Sequence, residues 1–220
     1  MSLKKAIYKH LMGQYGVTFT AVAATDVITA TGHTLVDGDK VRVSSTGTLP
    51  GGLSASTDYF VRDTSGSTFK LAASSGGAAI DITSTGSGTH SMGTTVTDQV
   101  GNRIYAGNAA ENPTEPYIVY RRISAVRFPH LGGSSGLVRA LVQFDICDDN
   151  PETVEDVRDA LRLWLDGFDK AMGTDNLDVR NVTLEDEADV LLPPEDAGEL
   201  GTHNTSMDFF ITYAESVPAH

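Results

Sequence analysis

A serine set between glycines is the first group in the sequence whose type and spacing could support catalysis. Gly132, Ser134 and Gly136 match the G-x-S-x-G pattern that carries the nucleophilic serine of many hydrolases. In those enzymes the motif occupies a sharp turn from a strand into a helix, and an acid and a histidine follow. Here the alternating apolar residues on both sides place it between two antiparallel strands. The pattern therefore predicts a hairpin loop and no catalytic residue.

Two runs of acidic residues offer oxygen ligands for a divalent cation. One run contains Asp148, Asp149 and Glu152, and the other extends from Glu185 to Asp189. Neither has the alternating ligand spacing and central glycine of an EF-hand loop. The six histidines form no H-x-x-x-H pair, and the glycine-rich phosphate loop is absent from the sequence. We therefore expect solvated acids, no metal site, no cofactor and no enzymatic activity.

The acidic charge of the chain is concentrated in its last third. The segment 148–199 holds 17 acidic and 4 basic residues, a net charge of −13, which equals the formal net charge of all 220 residues. Such a balance argues against a general nucleic-acid binder, because binding to phosphates needs clustered Lys and Arg. The single cysteine, Cys147, excludes an intrachain disulfide framework and is expected to be a reduced structural residue. With neither a secretory signal nor a long apolar run, the sequence predicts a chain made in the cytoplasm.

Two strand patterns and a helix form the expected nucleus of the fold. The run PYIVYRRIS from Pro116 predicts one strand, and LVRALVQFDIC, which ends at Cys147, predicts a second, with a long loop between them. A helix should follow, because Asn150 can act as its N-cap, Pro151 suits its first position, and Gly167 can end it. A shorter helix is predicted over residues 4–12, with His10 as a packing residue.

Residues 16–93 have a different composition from the rest of the chain. Gly, Ser and Thr occupy 37 of these 78 positions, and short runs of β-branched and aromatic residues recur between turn signals. This spacing predicts a small all-β domain of the sandwich or barrel type. The stretch ATDVITATGHTLVDGDKVRVSSTGTLPGGLSASTDYFVRD and the later STFKLAASSGGAAIDITSTGSGTH resemble a β-module that recurs in phage tail proteins.

The remaining segments resemble the tail-completion, or tail-terminator, family of tailed phages. The matching segments, in chain order, are the N-terminal helix, VGNRIYAG, PYIVYRRIS, LVRALVQFDIC, ETVEDVRDALRLWLDG, NLDVRNVTLEDEADV and HNTSMDFFITYAE. The sequence departs from the family pattern by carrying the β-module between the first helix and VGNRIYAG. The expected domains are therefore residues 1–15 with 94–220, and an inserted domain at 16–93.

The order of segments predicts an α+β fold, in which helices pack on one face of a four-stranded, mostly antiparallel sheet. The small all-β domain, sandwich- or barrel-like, is inserted into it. The resemblance implies a virion structural protein that forms a homohexameric ring on the head-proximal end of the tail tube. Its implied partners are further copies of itself, the tube protein, the head-side connector and genomic DNA that passes without specific binding, with no membrane involved. The alternatives are another head-tail neck or adaptor protein, or a tail decoration protein whose β-domain binds host-surface glycan.

A closed ring needs two different patches on each subunit. Arginine and aromatic residues suit the core of an interface, and we place one patch on the loop after the first strand and on an edge strand near Phe210. The acidic segment is the candidate for the opposing patch. The candidate interface residues are Arg121, Arg122, Arg127, Phe128, His130, Glu185, Asp186, Glu187, Asp189 and Phe210.

Overall fold

The structure is a computed structural model that describes residues 2–13, 15–33, 35–130, 133–173, 176–192 and 202–216. Its contacts divide the chain into two compact units. One unit comprises Met1–Leu11 and Gln99–His220, and the other comprises Met12–Asp98. Within the described ranges, no helix is long and apolar enough to cross a membrane.

The unit Met12–Asp98 contains a closed barrel of six strands, in the order β1-β2-β5-β4-β3-β6. Its neighbouring strands pair antiparallel. Short strands with one apolar face suit a closed barrel, because closure removes the unpaired edges that an open sheet would expose. The six strands are β1 (Val17–Val22), β2 (Val27–Thr29), β3 (Lys40–Ser45), β4 (Tyr59–Ser65), β5 (Thr68–Ala72) and β6 (His90–Gly93).

The other unit is built on a six-stranded sheet in the order β10-β11-β12-β9-β8-β7. It curls into a half-barrel. All neighbouring strands are antiparallel except β7 and β8, which are parallel. The strands are β7 (Ile104–Ala106), β8 (Tyr117–His130), β9 (Gly133–Asp148), β10 (Ala171–Met172), β11 (Leu177–Leu192) and β12 (Thr202–Ala214), and the helices of the chain are α1 (Leu3–Met12), α2 (Thr95–Val100) and α3 (Pro151–Leu165).

The fold class predicted from the sequence is wrong. The chain is mostly β, with 48% strand and 16% helix, and its main sheet has six strands instead of four. The two additional strands, β7 and β10, contain only three and two residues. A strand of that length is too short to show the period-2 alternation by which strands are recognised in a sequence.

The hairpin of β8 and β9 is also longer than predicted. The expected long loop between the two strands is largely strand, because β8 continues through Pro129 to His130 and β9 begins at Gly133. Pro129 is tolerated because, among the described residues, no further strand pairs with the outer side of β8 at this level, so its missing N–H interrupts no second ladder. Register shifts lie next to Ser124 and Pro129, where the hairpin accommodates extra residues.

One face of the sheet forms the apolar core of this unit. The predicted alternation of β9 is confirmed, since Val138, Ala140, Val142, Phe144 and Ile146 are all buried. Phe144 lies at the centre, with its ring centroid 5.7 Å from that of Tyr120 on β8 and 5.6 Å from that of Phe209 on β12. Three neighbouring strands therefore share one aromatic cluster.

The helix α3 covers this apolar face and begins as predicted. Asn150 is its N-cap, and the side-chain oxygen of this residue accepts a hydrogen bond of 3.0 Å from the N–H of Glu152. The buried residues of α3 recur at helical spacing, and the helix contacts β9, β11 and β12. Gly167, two residues beyond the helix, adopts a φ of 76°, a left-handed conformation that favours glycine.

The helix α1 packs beside α3 through His10. The imidazole centroid lies 4.4 Å from the ring centroid of Phe168 and 5.5 Å from that of Trp164, so the predicted packing role is confirmed. The hydroxyl of Tyr120 donates a hydrogen bond of 2.7 Å to the carbonyl of Lys4, which fixes α1 to the sheet. Burial lowers the pKa of His10 to about 4.

We predict that His10 makes the folded state less stable as the pH decreases. An imidazole with a pKa of about 4 in the folded chain and 6.5 when unfolded binds a proton first in the unfolded state. Stability should therefore decline as pH falls from about 6.5 to about 4, by up to roughly 3 kcal/mol, at 1.36 kcal/mol per pKa unit. Urea unfolding of wild type and His10→Leu across this range measures the effect.

The leucine variant is the control because it keeps an apolar contact with Trp164 and Phe168 but cannot be protonated. The carboxyl groups titrate alike in both proteins, so only the difference between the two curves reports on His10. A difference in unfolding free energy that stays constant from pH 7 to pH 4 would contradict the prediction.

Candidate functional site

The outer half of β8 is an exposed strand that carries basic and apolar side chains. Arg121, Arg122, Arg127 and Phe128, all predicted interface residues, are exposed there. Ile123 and Val126 on the same stretch are 51% and 60% exposed. The backbone of His130 pairs with Gly133, whereas the side chain of His130 lies outside the described part of the structure.

Arg121 is bound to a buried carboxylate within its own sheet. Its guanidinium donates to Asp145 on β9, and the hydroxyl of Ser206 on β12 donates to the other oxygen of that carboxylate. Asp145 is only 6% exposed. A buried carboxylate needs a cation or several donors, so Arg121 has a structural role in addition to any interface role.

Arg127 and Arg122 differ in their partners. Two nitrogens on one edge of the Arg127 guanidinium, Nε and Nη2, donate to the two carboxylate oxygens of Glu215, with N–O distances of 2.8 and 3.1 Å. This hydrogen-bonded arginine lowers the pKa of Glu215. Among the described residues, no carboxylate lies within ion-pair distance of Arg122. Of the three arginines on this edge, Arg122 is therefore the one whose charge is available to a partner.

The predicted acidic segment lies on β11, at the opposite side of the sheet. Glu185 and Asp186 are exposed. Glu187 lies 3.5 Å from the guanidinium of Arg158 on α3, and Asp189 accepts a hydrogen bond from the hydroxyl of Thr205. Within the part of the chain that is described, Glu185 and Asp186 are the two of these four acids that have no hydrogen-bond or ion-pair partner.

The predicted edge position of Phe210 is wrong. Phe210 belongs to β12, which pairs with β9 on one side and β11 on the other, so it lies in an inner strand. The guanidinium carbon of Arg139 is 3.6 Å from the centroid of its ring. This cation–π contact holds the two side chains on the face of the sheet, away from either edge.

A row of polar residues crosses the sheet from the basic side to the acidic side. Arg121 pairs with Gln143, Gln143 with Asp208, and Asp208 with Asp186. Burial and the negative charges of Asp186 and Asp145 raise the pKa of Asp208, although a hydrogen bond from Gln143 opposes the rise. One buried oxygen of Asp208 has no hydrogen-bond partner among the described atoms. The acidic end of the row therefore carries uncompensated negative charge.

The sequence did not reveal a second acidic cluster, formed by Glu115, Asp148 and Asp149. One carboxylate oxygen from each residue lies within 4.8 Å of the others. The sequence places Asp148 and Asp149 in one acidic run with Glu152, but Glu152 is not in the cluster and Glu115 is 33 positions away from Asp148 in the chain. Burial raises the pKa of Glu115 and of Asp148, and the charges of neighbouring acids add to the rise.

The structure also shows where Ser134 and the aromatic residues of the barrel lie. The side chain of Ser134 lies outside the described residues, but its backbone pairs with Pro129 across the hairpin, so it is not at a strand-to-helix turn. In the barrel, Tyr59 and Phe69 are buried in the core, and only Phe60 is partly exposed. Of these three aromatic side chains, only Phe60 is therefore accessible for stacking on a sugar ring, the basis of the glycan-binding alternative. Cys147 is buried and free.

Comparisons with known proteins provide no family assignment. No family model matches the chain, and no curated protein matches it. A solved structure described as the virion of a native gene transfer agent particle matches with 10% sequence identity and a TM-score of 0.43. The match covers 54% of this chain and 84% of that one. A likeness at this TM-score does not establish a shared fold.

We predict that Asp148→Asn stabilises the protein at pH 7. The raised pKa of Asp148 means that its charged form is less favourable in the folded than in the unfolded chain. Asparagine removes that charge but keeps the oxygen that accepts from the N–H of Asn150, at 3.2 Å. Thermal unfolding should show a higher Tm for the variant, and its advantage should shrink as acid protonates Asp148 in the wild type.

Asp156→Asn on α3 is the matched control, because it removes one exposed acid outside the cluster. A similar gain from both variants would mean that net charge, and not the burial of Asp148 and its repulsion within the cluster, sets the effect. Loss of stability in Asp148→Asn at pH 7 would show that the carboxylate is favourable where it is.

Proposed function

We propose that this chain is a structural protein of a phage-like virion and acts as its tail terminator. In this role, copies of the chain form a ring on the head-proximal end of the tail tube. The ring ends the addition of tube subunits and joins the tail to the connector of the head. The order of the matching segments in the sequence supports the proposal, because the family resemblance runs through both ends of the chain.

The observation that carries the proposal is the chemical difference between the two sides of the sheet. The side at β8 exposes arginine and apolar residues, and the side at β11 exposes Glu185 and Asp186. A ring built from identical subunits uses heterologous contacts, so each subunit must present two unlike patches that fit each other. Opposite charge on opposite sides of one rigid sheet meets that requirement.

The acidic balance of the chain fits the passage of DNA through such a ring. A net charge of −13 per subunit gives a field that repels phosphates. Repulsion would keep the genome from adhering as it passes through the lumen. Specific recognition of DNA would need clustered arginine and lysine at base edges or phosphates, and two of the arginines on β8 are already held by Asp145 and Glu215.

We predict that the purified chain caps tail tubes. Mixed with polymerising tube protein from the same particle, it should shorten the tubes and be found at one end only, as electron microscopy with an antibody label can show. The native mass should be a multiple of the monomer mass, six times if the implied hexamer is right. Binding to the connector with no effect on tube length would support the neck or adaptor alternative instead.

We also predict that the assembled protein does not bind double-stranded DNA, even at about 50 mM salt, where non-specific binding is stronger than at physiological salt. Gel-shift titration measures this directly, with a basic DNA-binding protein as the positive control for the assay. Tight binding at low salt would contradict the proposed repulsion, whereas weak binding that is independent of salt would not involve the phosphates.

A further inference from the structure

The two sides of the open sheet are each covered over only half of their length. At the β8 side, β7 pairs with Ile118, Val119 and Tyr120, and the N–H of Gly107 donates to the carbonyl of Tyr120 at 2.9 Å. From Arg121 onward, no strand in the described part of the chain pairs with the outer side of β8. This side therefore has a step at Arg121: β7 projects beside the residues that precede it, and a recess lies beside the residues that follow it.

The β11 side has a step of the opposite sense. The residues that follow α3 cover its first half: β10 pairs with Leu177 and Asp178, and the N–H of Gly167 donates to the carbonyl of Val182. The side chain of Asp166 accepts from the N–H of Leu184 at 3.0 Å. From Glu185 to Leu192, the outer side of β11 has no strand partner among the described residues.

Both steps lie at the same level of the sheet. The row that runs from Arg121 through Gln143 and Asp208 to Asp186 joins the first uncovered residue of β8 to the start of the uncovered part of β11. On the side of this row toward the turn of the β8–β9 hairpin, the outer side of β8 is open and that of β11 is covered. On the other side of the row, β8 is covered by β7 and β11 is open. The two sides of one subunit thus have complementary profiles.

We propose that the two sides join one copy of this chain to the next as a lap joint. In this joint, β7 of one copy enters the recess beside Glu185–Leu192 of its neighbour, and the segment 166–172 of the neighbour covers the open half of β8. The inference rests on the proposed function, because it specifies how copies meet in the ring. Its occupant is a second copy of this chain, identified by charge as well as by shape.

Strand direction is consistent with a ring. Three successive antiparallel pairings separate β8 from β11, and β7 is parallel to β8, so both β7 and β8 run opposite to β11. Rotation about an axis roughly parallel to the strands leaves these directions unchanged. The β7 strand of one copy therefore meets β11 of the next in antiparallel orientation, as β11 already pairs with β12.

The side chains at the joint supply opposite charges and apolar surface. Arg122 lies at the step on the β8 side, and Glu185 and Asp186 lie at the step on the β11 side. Ile123 and Val126 on the open half of β8, and Val190, 47% exposed on the open half of β11, would be buried by the partner.

Charge exchange in the full-length chain tests the joint. Arg122→Glu and Glu185→Arg should each raise the concentration needed for assembly by about tenfold or more, because each places like charges across the joint. The double variant should restore assembly to within about threefold of wild type. Analytical ultracentrifugation over a concentration series measures the oligomer, and far-UV circular dichroism checks that each variant is folded.

Two reversals on the exposed face of α3, Arg162→Glu and Asp156→Arg, are the matched controls, since they change the net charge equally away from the joint. Arg121 is not altered, because its guanidinium holds the buried Asp145. Equal effects of the controls and the joint variants, or failure of the double variant to recover, would overturn the joint. So would a wild-type chain that stays monomeric at every concentration.

The result separates the joint from the proposed function. Recovery by the double variant supports the joint even if the assembled protein fails to cap tubes, a failure that would count against the terminator role alone. Normal assembly and tube capping by both single variants would overturn the joint and leave the terminator role in place.

Discussion

The structure of the larger unit depends on one ladder of antiparallel pairing through β8, β9, β12 and β11. This ladder places Tyr120, Phe144 and Phe209 in adjacent strands on the same face, where their rings contact one another. A slip of one residue in any pairing would turn that strand's apolar side chains to the opposite face. The register is therefore fixed by burial, and it also determines which polar residues lie level with each other on the opposite face.

Local signals in the sequence predicted the elements of this ladder better than their arrangement. The Asn150–Pro151 start of α3 and the alternation of β9 depend on neighbouring residues, and both are confirmed. The predicted four-stranded sheet is wrong because β7 and β10 have no pattern of their own and form only by adding to longer strands. The Gly- and Ser-rich start of β9 resembles a loop in composition, yet its pairing with β8 makes it strand.

The surroundings of the candidate interface residues were predicted only in part, for the same reason. Charge and residue type identified Arg122, Glu185 and Asp186, which the structure places at open edges. They did not reveal that Arg121 and Arg127 are held by Asp145 and Glu215, because those partners are 24 and 88 positions away in the chain. Nor did alternation in a single strand show that Phe210 lies in the interior of the sheet, since edge position depends on the order of strands.

An open strand edge attracts any other strand, so a protein that assembles through such edges must also prevent unwanted pairing. The open half of β8 carries register shifts at Ser124 and Pro129, and a proline that cannot donate to a ladder. The open half of β11 carries acids that repel an identical edge. These features disfavour the pairing of like edges, β8 with β8 or β11 with β11. The proposed joint instead pairs unlike edges, and a contact between unlike edges is the one from which rotation can generate a closed ring.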